Sequence, residues 1–329
     1  MKWMTDIEIK PLPMPIEHTH RVMMVGSCFT EHIGKELNNL KFNILENPNG
    51  ILFDTKSVCR SLVSYVYNRQ YGREDLFYLN ELYHSWEHHS RFSHPDAEVC
   101  LQQINESQQR ASHYVKQADW LIITLGSSFS YRLLDPRRDV ANCHKAPQQW
   151  FEKHLVSIEE QIALLDNTIH QLFHANNRLK IIFTISPVRH LRDGVVNNNR
   201  SKARLLETVH HLVEKFDRIF YFPAYELVID VLRDYRFYDI DLAHPNYAAT
   251  QFVMEKFSEF AFSESTRQLN AELRQLQLAR NHRPFHPASQ QHQKFLAAHL
   301  AKARELALKH PYLNLADWIA YFSSQLSHN

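Results

Sequence analysis

Arg21-Val-Met-Met-Val-Gly26-Ser-Cys28-Phe-Thr30-Glu31 is the stretch on which the fold reading turns. The apolar, β-branched and Met-rich run Arg21–Val25 predicts a strand, and the pattern from Thr30 to Asn39 predicts a helix. Gly26, Ser27 and Cys28 then occupy a strand-to-helix turn. Such a turn aims a side chain out of the edge of a sheet, with unpaired helix N–H groups beside it. A thiol there is expected to ionise more readily than a free cysteine, because the helix N-terminus favours the thiolate. The chain holds only 6 glycines in 329 residues, so each needs a reason, and Gly26, Gly50 and Gly126 all fall at turns that can surround one site.

Outward from this turn, strand-like and helical runs alternate. Phe42–Leu45 predicts a short strand that stops at the turn Asn47-Pro-Asn-Gly50, and Lys56–Asn68 predicts a helix. Residues 70–97 have no clean period and read as an irregular insertion. Glu98–Gln117 predicts a helix that leads into Trp120-Leu-Ile-Ile-Thr-Leu125, a buried strand halted by Gly126. A polar, irregular stretch to about 155 follows, then a helix over Ser157–Ala175 with Ile158, Ile162, Leu165, Ile169 and Leu172 on one stripe. Leu179–Ile185 is a strand, Ser201–Phe216 a helix, Ile219–Phe222 a strand, and Pro245–Phe262 a helix with proline at its first position.

Short apolar strands joined by helical crossovers imply a five-stranded parallel sheet covered on both faces, a three-layer α/β/α sandwich. Ligands bind at the carboxyl ends of such strands. Gly26, Asn47–Gly50, Gly126, Ser186–His190 and the Asp241 region are therefore expected on one rim. From Ser263 onward the chain becomes rich in Gln, Ala and Leu, with breaks at Arg283-Pro-Phe-His-Pro287 and His310-Pro311. The expected organisation is an α/β domain over 1–262 and a helical extension over 263–329. That extension reads as a structural buttress, with a lid or a dimer contact as the sharper alternative.

Charge and cysteine usage bound the function. Lys and Arg number 37 against 36 Asp and Glu, which argues against a general nucleic-acid or anionic-membrane binder, since either needs a basic face. The start Met1-Lys-Trp-Met-Thr-Asp-Ile-Glu8 lacks a charged-then-apolar signal pattern. No apolar run approaches the roughly 20 residues of a membrane helix, so a cytoplasmic protein without a membrane partner is expected. Cys28, Cys59, Cys100 and Cys143 are widely spaced with no Cys-x-x-Cys pair, which argues against a disulfide framework and a structural zinc site. Cys59 and Cys100 fall on helical patterns and read as small buried apolar residues.

The second signal is Asp241-Leu-Ala-His244-Pro-Asn246. A carboxylate three residues before a histidine can share one face of a turn with it. It can hold the imidazole's tautomer and leave the far nitrogen to take a proton from a nucleophile. With a thiol on the first strand–helix turn, this makes a nucleophile, base and orienter set. Asn142-Cys143-His144-Lys145 reads as a substrate-contacting loop rather than a metal site, which would need a further ligand from elsewhere. Ser186-Pro-Val-Arg189-His190 follows a strand, so Arg189 and His190 can face the rim, with Arg189 suited to a substrate carboxylate or phosphate or, equally, to a core carboxylate. The aromatics of Arg233-Asp-Tyr-Arg-Phe-Tyr238 read as packing that fixes the Asp-His turn, and Trp86-Glu-His-His89 as surface or pocket wall.

The order of these blocks resembles the SGNH/GDSL hydrolase superfamily, whose first block reads Gly-Asp-Ser-Leu and whose last reads Asp-x-x-His. More closely, Gly26-Ser-Cys-Phe-Thr30 resembles the GSCFA family. Asn47-Pro-Asn-Gly-Ile-Leu52, Thr124-Leu-Gly126, Asn142–Lys145, Ser186–His190, Tyr221-Phe-Pro-Ala-Tyr-Glu226, Arg233–Tyr238 and Asp241–Asn246 look like it too, over about Val22 to Phe262. The resemblance implies an SGNH/flavodoxin-like sheet. Laid on the superfamily's first block without a gap, Cys28 takes the nucleophile position and Ser27 that of the preceding Asp. His244 falls at the base and Asp241 at its orienter. The N–H groups of Cys28 and Gly50 are the implied oxyanion donors, beside Gly126, and Ser128 stands where the superfamily has its third donor, an Asn. Asn47, Cys143, His144, Arg189 and His190 are the expected substrate contacts.

The expected activity is acyl transfer from a small-molecule or carbohydrate ester, such as a sugar O-acetyl group, through an acyl-Cys28 intermediate, with no metal and no cofactor. The alternatives are an acyltransferase or thioesterase on the same residues, and a catalytically degenerate carbohydrate-binding protein.

Overall fold

The computed structural model describes residues 5–327. In chain order its strands are β1 (Arg21–Gly26), β2 (Asn43–Glu46), β3 (Leu76–Leu79), β4 (Leu82–Ser85), β5 (Trp120–Leu125), β6 (Phe129–Leu133), β7 (Arg138–Val140), β8 (Phe151–Leu155), β9 (Lys180–Ile185) and β10 (Ile219–Phe222). Its helices are α1 (Cys28–Asn39), α2 (Thr55–Tyr67), α3 (Ala97–Val115), α4 (Ile158–Ala175), α5 (Gly194–Lys215), the single turn α6 (Ala224–Glu226), α7 (Tyr247–Ala261), α8 (Glu264–Asn281), α9 (Gln290–Lys309) and α10 (Ala316–Ser327).

Five strands pair in parallel in the order β10-β9-β5-β1-β2. Successive strand residues point to opposite faces, and both faces are covered. Met23, Val25, Leu121, Ile123, Phe183 and Ile185 pack against α2, α3, α4 and α5. Val22, Met24, Trp120, Ile122 and Ile182 pack against α1 and α7. This is the three-layer α/β/α sandwich. From β1 the chain crosses by α1 to β2, then returns through α2 and α3 over the other face to β5. The direction of winding therefore reverses between β1 and β5, and a crevice opens at the carboxyl ends of that pair.

Two small antiparallel sheets modify the sequence reading. The insertion at 70–97 contains the hairpin β3–β4, and the supposedly irregular stretch before 155 forms the sheet β7-β6-β8. That sheet is held by cross-strand pairing, including Arg132 Nε to Asp139 Oδ1 at 3.0 Å, and by packing on Trp86, so its apolar period is faint. α5 begins at Gly194 rather than Ser201, because its exposed first turns carry no apolar stripe. α7 begins at Tyr247. Asn246 is its N-cap, accepting the Ala249 N–H at 3.2 Å, so Pro245 precedes the helix instead of opening it.

α8, α9 and α10 share the core beneath α1 and α7, through Leu273, Leu276, Leu300, Leu306, Trp318 and Phe322. Lys41, at the end of α1, pairs with Asp317 at 2.8 Å and lies over the Trp318 ring at 4.7 Å. Among the described residues no helix is long and apolar enough to cross a membrane.

Candidate active site

β1 can close on β5 only because Gly26 lacks a side chain. Its φ is +149°, and a Cβ there would meet the Thr124 carbonyl oxygen at 2.2 Å. The ladder continues one residue further, as the Ser27 N–H donates to Thr124 O at 3.1 Å. The hydroxyl of Ser27 then caps α1, accepting the Phe29 N–H at 3.3 Å. Cys28 is the first residue of the helix and is partly exposed. Asn47, fully buried, holds this turn from the next strand, its Oδ1 accepting the Gly26 N–H at 2.9 Å.

The cavity at the crevice has a volume of about 660 Å³ and is lined by Ser27, Cys28, Asp241 and His244, with Arg189 and His190. Asp241 closes a tight turn on itself. One carboxylate oxygen accepts the N–H groups of Ala243 and His244, both at 3.0 Å, and the other meets His244 Nδ1 at 2.6 Å. These bonds, the His244 N–H and ring first, hold the Asp241 carboxyl down at about 2. They also fix the imidazole and leave Nε2 without a partner among the described residues. Arg189 braces the turn: its N–H donates to Ala243 O at 3.0 Å, and its guanidinium stacks 4.0 Å from the Tyr238 ring centre. The aromatic run before the turn thus packs against it.

Cys28 and His244 line one cavity, but no hydrogen bond joins them. The thiol's pKa is raised, contrary to the expectation from the helix end. Burial and the Glu31 carboxylate outweigh the N–H groups of Cys28 and Phe29 and the charge of Lys202.

Several expected contacts are committed elsewhere. The Gly50 N–H donates to Asn47 O at 2.7 Å, within its own turn. The following residue, Ile51, lines the cavity, and its N–H has no partner among the described residues. Ser128 is buried, its hydroxyl donating to Ser201 O at 2.8 Å and its N–H to Ser201 Oγ at 2.7 Å, so it faces α5 and not the cavity. The Gly126 N–H donates to Phe53 O at 2.7 Å. Asn47, Cys143 and His144 do not line the cavity. His144 Nε2 bonds Ser85 O at 2.8 Å, and its ring lies among Phe77, His84 and Trp86, because β3–β4 folds over the 142–145 loop. Burial pushes the Cys143 thiol up to about 11. His190 sits against Phe53, held down at about 4 by burial and by the Lys202 charge.

The structure adds residues that the motifs did not mark. Phe53, Ser127, Phe129 and Tyr131 line the cavity, and Lys153 pairs with Asp193 beside it. Lys202 lies behind it, wholly buried. Lys202 was visible in sequence as a cation on the stripe that Leu205, Val209 and Leu212 continue. None of α8, α9 or α10 contributes to the cavity. Among the described residues no group of three or more His, Cys, Asp or Glu side chains could hold a metal ion.

No curated protein matches the chain. Among solved structures, a Clostridium thermocellum family 3 carbohydrate esterase is similar at 9% identity and a TM-score of 0.35, covering 77% of this chain and 98% of that one. An acetyl xylan esterase from the rumen bacterium Butyrivibrio proteoclasticus is similar at 9% identity and a TM-score of 0.33, covering 64% of this chain and 56% of that one. Both are remote likenesses. Two family models match the sequence: residues 273–328 match the GSCFA domain protein C-terminal domain, and residues 21–257 match the GSCFA family. With the Gly26–Thr30 motif at the head of the matched region, the chain belongs to the GSCFA family.

Proposed function

We propose that this protein transfers acyl groups from small-molecule or carbohydrate esters to water, with Cys28 as nucleophile, His244 as base and Asp241 as its orienter. The observation that carries this reading is the Asp241–His244 pair, locked at 2.6 Å in the lining of the same cavity as Cys28. The hydroxyl of Ser27 is occupied as a helix cap, whereas the Cys28 thiol has beside it only the N–H groups of its own residue and of Phe29. This favours sulfur over oxygen as the attacking atom.

In the reaction, His244 takes the Cys28 proton and the thiolate attacks the ester carbonyl carbon. The resulting oxyanion is received by the N–H groups of Cys28 and Ile51. The intermediate collapses with cleavage of the ester C–O bond, and His244 returns the proton to the departing alkoxide. Water, deprotonated by His244, then releases the acid from the thioester. Catalytic hydrogen bonds often tighten only in the substrate complex, so His244 is expected to close on the thiol when an ester fills the cavity. The cavity volume of about 660 Å³ suits a small ligand, and Phe53, Phe129 and Tyr131 give part of its wall an aromatic lining suited to a sugar. Carbohydrate O-acetyl esters are therefore the class to assay first.

The test is a panel of p-nitrophenyl and acetylated-saccharide esters. Cys28→Ala and His244→Ala should each lose about 10²–10⁴-fold or more in kcat, while Ser27→Ala stays within about tenfold. An active Cys28→Ala beside a dead Ser27→Ala would assign the attack to the hydroxyl. A raised thiol pKa and the committed Gly50 N–H favour a second reading, a non-catalytic carbohydrate-binding protein. That reading predicts saccharide binding with no ester turned over.

A further inference from the structure

The charges that line the cavity do not balance. Among the described residues its carboxylates are Asp193 and Asp241, and its lysine and arginine cations are Lys153, Arg189 and Arg192. Asp241 is committed to the His244 ring and to the N–H groups of Ala243 and His244. Asp193 is committed to Lys153, whose ammonium lies 4.7 Å from the Phe129 ring centre. His190 is held low at about 4, by burial above all, and adds no charge at neutral pH. Two guanidinium groups are left over, and among the described residues neither pairs with a carboxylate.

Arg189 is the more firmly placed of the two. The core carboxylate that its sequence position allowed as a partner is absent. Its guanidinium instead stacks 4.0 Å from the Tyr238 ring centre and 5.4 Å from that of Tyr235, and Nη1 donates to Leu242 O at 3.4 Å. Its backbone N–H donates to Ala243 O at 3.0 Å, so the residue stands beside the Asp241–His244 turn. Most of its side-chain N–H donors remain uncommitted. Stacking restricts the side chain before a ligand arrives, which lowers the entropy cost of a further contact. Arg192, on the same loop after β9, is exposed and makes no hydrogen bond or ion pair among the described residues. An arginine on open surface is hydrated and calls for no partner. These two belong to the lining of a concave cavity whose wall also holds Ile51, Phe53, Phe129 and Val188. Apolar walls displace water and focus the field of uncompensated cations on whatever enters.

We propose that this cavity selects esters that also carry an anionic group, a carboxylate or a phosphate monoester, and that Arg189 and Arg192 receive it. The proposal rests on the reading of the cavity as the ester site. A guanidinium presents paired N–H donors that match two oxygens of either anion. The ligand supplies the negative charge that Asp193 and Asp241, both already committed, do not. For a sugar ester this means a uronate or a sugar phosphate in preference to a neutral sugar.

The test measures binding without turnover. Full-length protein is titrated calorimetrically with glucuronate and glucose 6-phosphate, and with glucose and glucuronamide as neutral molecules of the same ring. At least one of the anions should bind about tenfold or more tightly than both neutral sugars, and the advantage should shrink at high salt. An advantage confined to glucuronate assigns the site to a carboxylate, and one confined to glucose 6-phosphate assigns it to a phosphate. Arg189→Gln and Arg192→Gln should each remove most of the advantage, whereas Arg110→Gln, on α3 outside the cavity, should keep it. Equal affinities for charged and neutral sugars overturn the proposal, as does no binding of either anion at millimolar concentration. An advantage that survives in both cavity variants overturns it too. Should Arg189→Gln not fold, Arg192→Gln decides alone, and an undiminished advantage there overturns the proposal. An anion advantage in a protein that turns over no ester sinks the acyl-transfer reading alone. Cys28-dependent turnover of neutral esters with no anion advantage sinks the anion proposal alone.

Discussion

Replacing Gly26 by Ala should damage the fold at the point where the candidate site is built. Gly26 pairs with Thr124 across β1 and β5, and its φ of +149° belongs to a region that side chains rarely enter. Forcing a residue with a Cβ into such a conformation costs about 1–3 kcal/mol. The added methyl would also lie 2.2 Å from the Thr124 oxygen, 2.8 Å from its nitrogen and 2.9 Å from its carbonyl carbon. All three are backbone atoms of a central strand and cannot rotate away. Overpacking of this kind adds about 1–3 kcal/mol, for a total near 4 kcal/mol. Gly194→Ala is the control, because φ there is +75° and nothing lies within 4 Å of the new methyl. It should show the backbone cost alone, about 1–3 kcal/mol, since its ψ of 154° puts it outside the left-handed helical region. With a urea slope of about 3 kcal/mol per molar, the unfolding midpoint should fall by about 1.3 M for Gly26→Ala and about 0.7 M for Gly194→Ala. Equal losses in the two variants would refute the argument that close approach of β1 to β5 is what demands glycine at 26.

Asp241→Asn should lower kcat by about 10²–10⁴-fold with little change in KM, since the imidazole loses the anion that orients it. In wild type the Asp241 carboxyl lies below its usual value of 3.8, so its contribution to stability is present above pH 3.8 and lost as pH falls through about 2. Acid titration of stability should be flatter in the variant over that window. Glu46 behaves in the opposite sense: burial and Glu31 raise it from 4.5 to about 7, so its contribution is full below pH 4.5 and lost as pH rises through 7. Glu46→Gln should remove that decline, and an unaltered slope between pH 5 and 8 would contradict the assignment. Trp318→Ala, in a site only 2% exposed, should cost about 3–5 kcal/mol and lower a single unfolding transition shared with the α/β core. Separate melting of α8–α10 with an unmoved main transition would show the C-terminal helices to be an independent unit.

The sheet, its crossovers and the Gly26–Cys28 turn were legible because each rests on local pattern. The unbroken apolar run Trp120–Leu125, the stripe of α4 and the Gly26 turn write strand, helix and junction into adjacent residues. The Asp241–His244 pair was legible for the same reason, as its hydrogen bonds span three residues. The sheet β7-β6-β8 was not, because pairs such as Arg132 with Asp139 and the packing on Trp86 come from separate stretches of chain.

By itself, then, the sequence determined the layers of the fold and the turns, Gly26–Cys28 and Asp241–His244, that meet at the carboxyl edge of the sheet. The tertiary structure decided what each of those residues is free to do. Gly50 and Ser128 carry suitable donors, but Asn47 and Ser201 already hold them, whereas the N–H of Ile51 is left open. Asn47 and His144 were turned into scaffold by Gly26 and by the hairpin β3–β4. Lys202 was turned into scaffold when α5 packed its side-chain nitrogen against the Gly126 and Ser186 carbonyls at the ends of β5 and β9. A hydrogen-bonding group has few partners and a charge is felt through space, so availability and electrostatics depend on neighbours that the order of residues along the chain does not name.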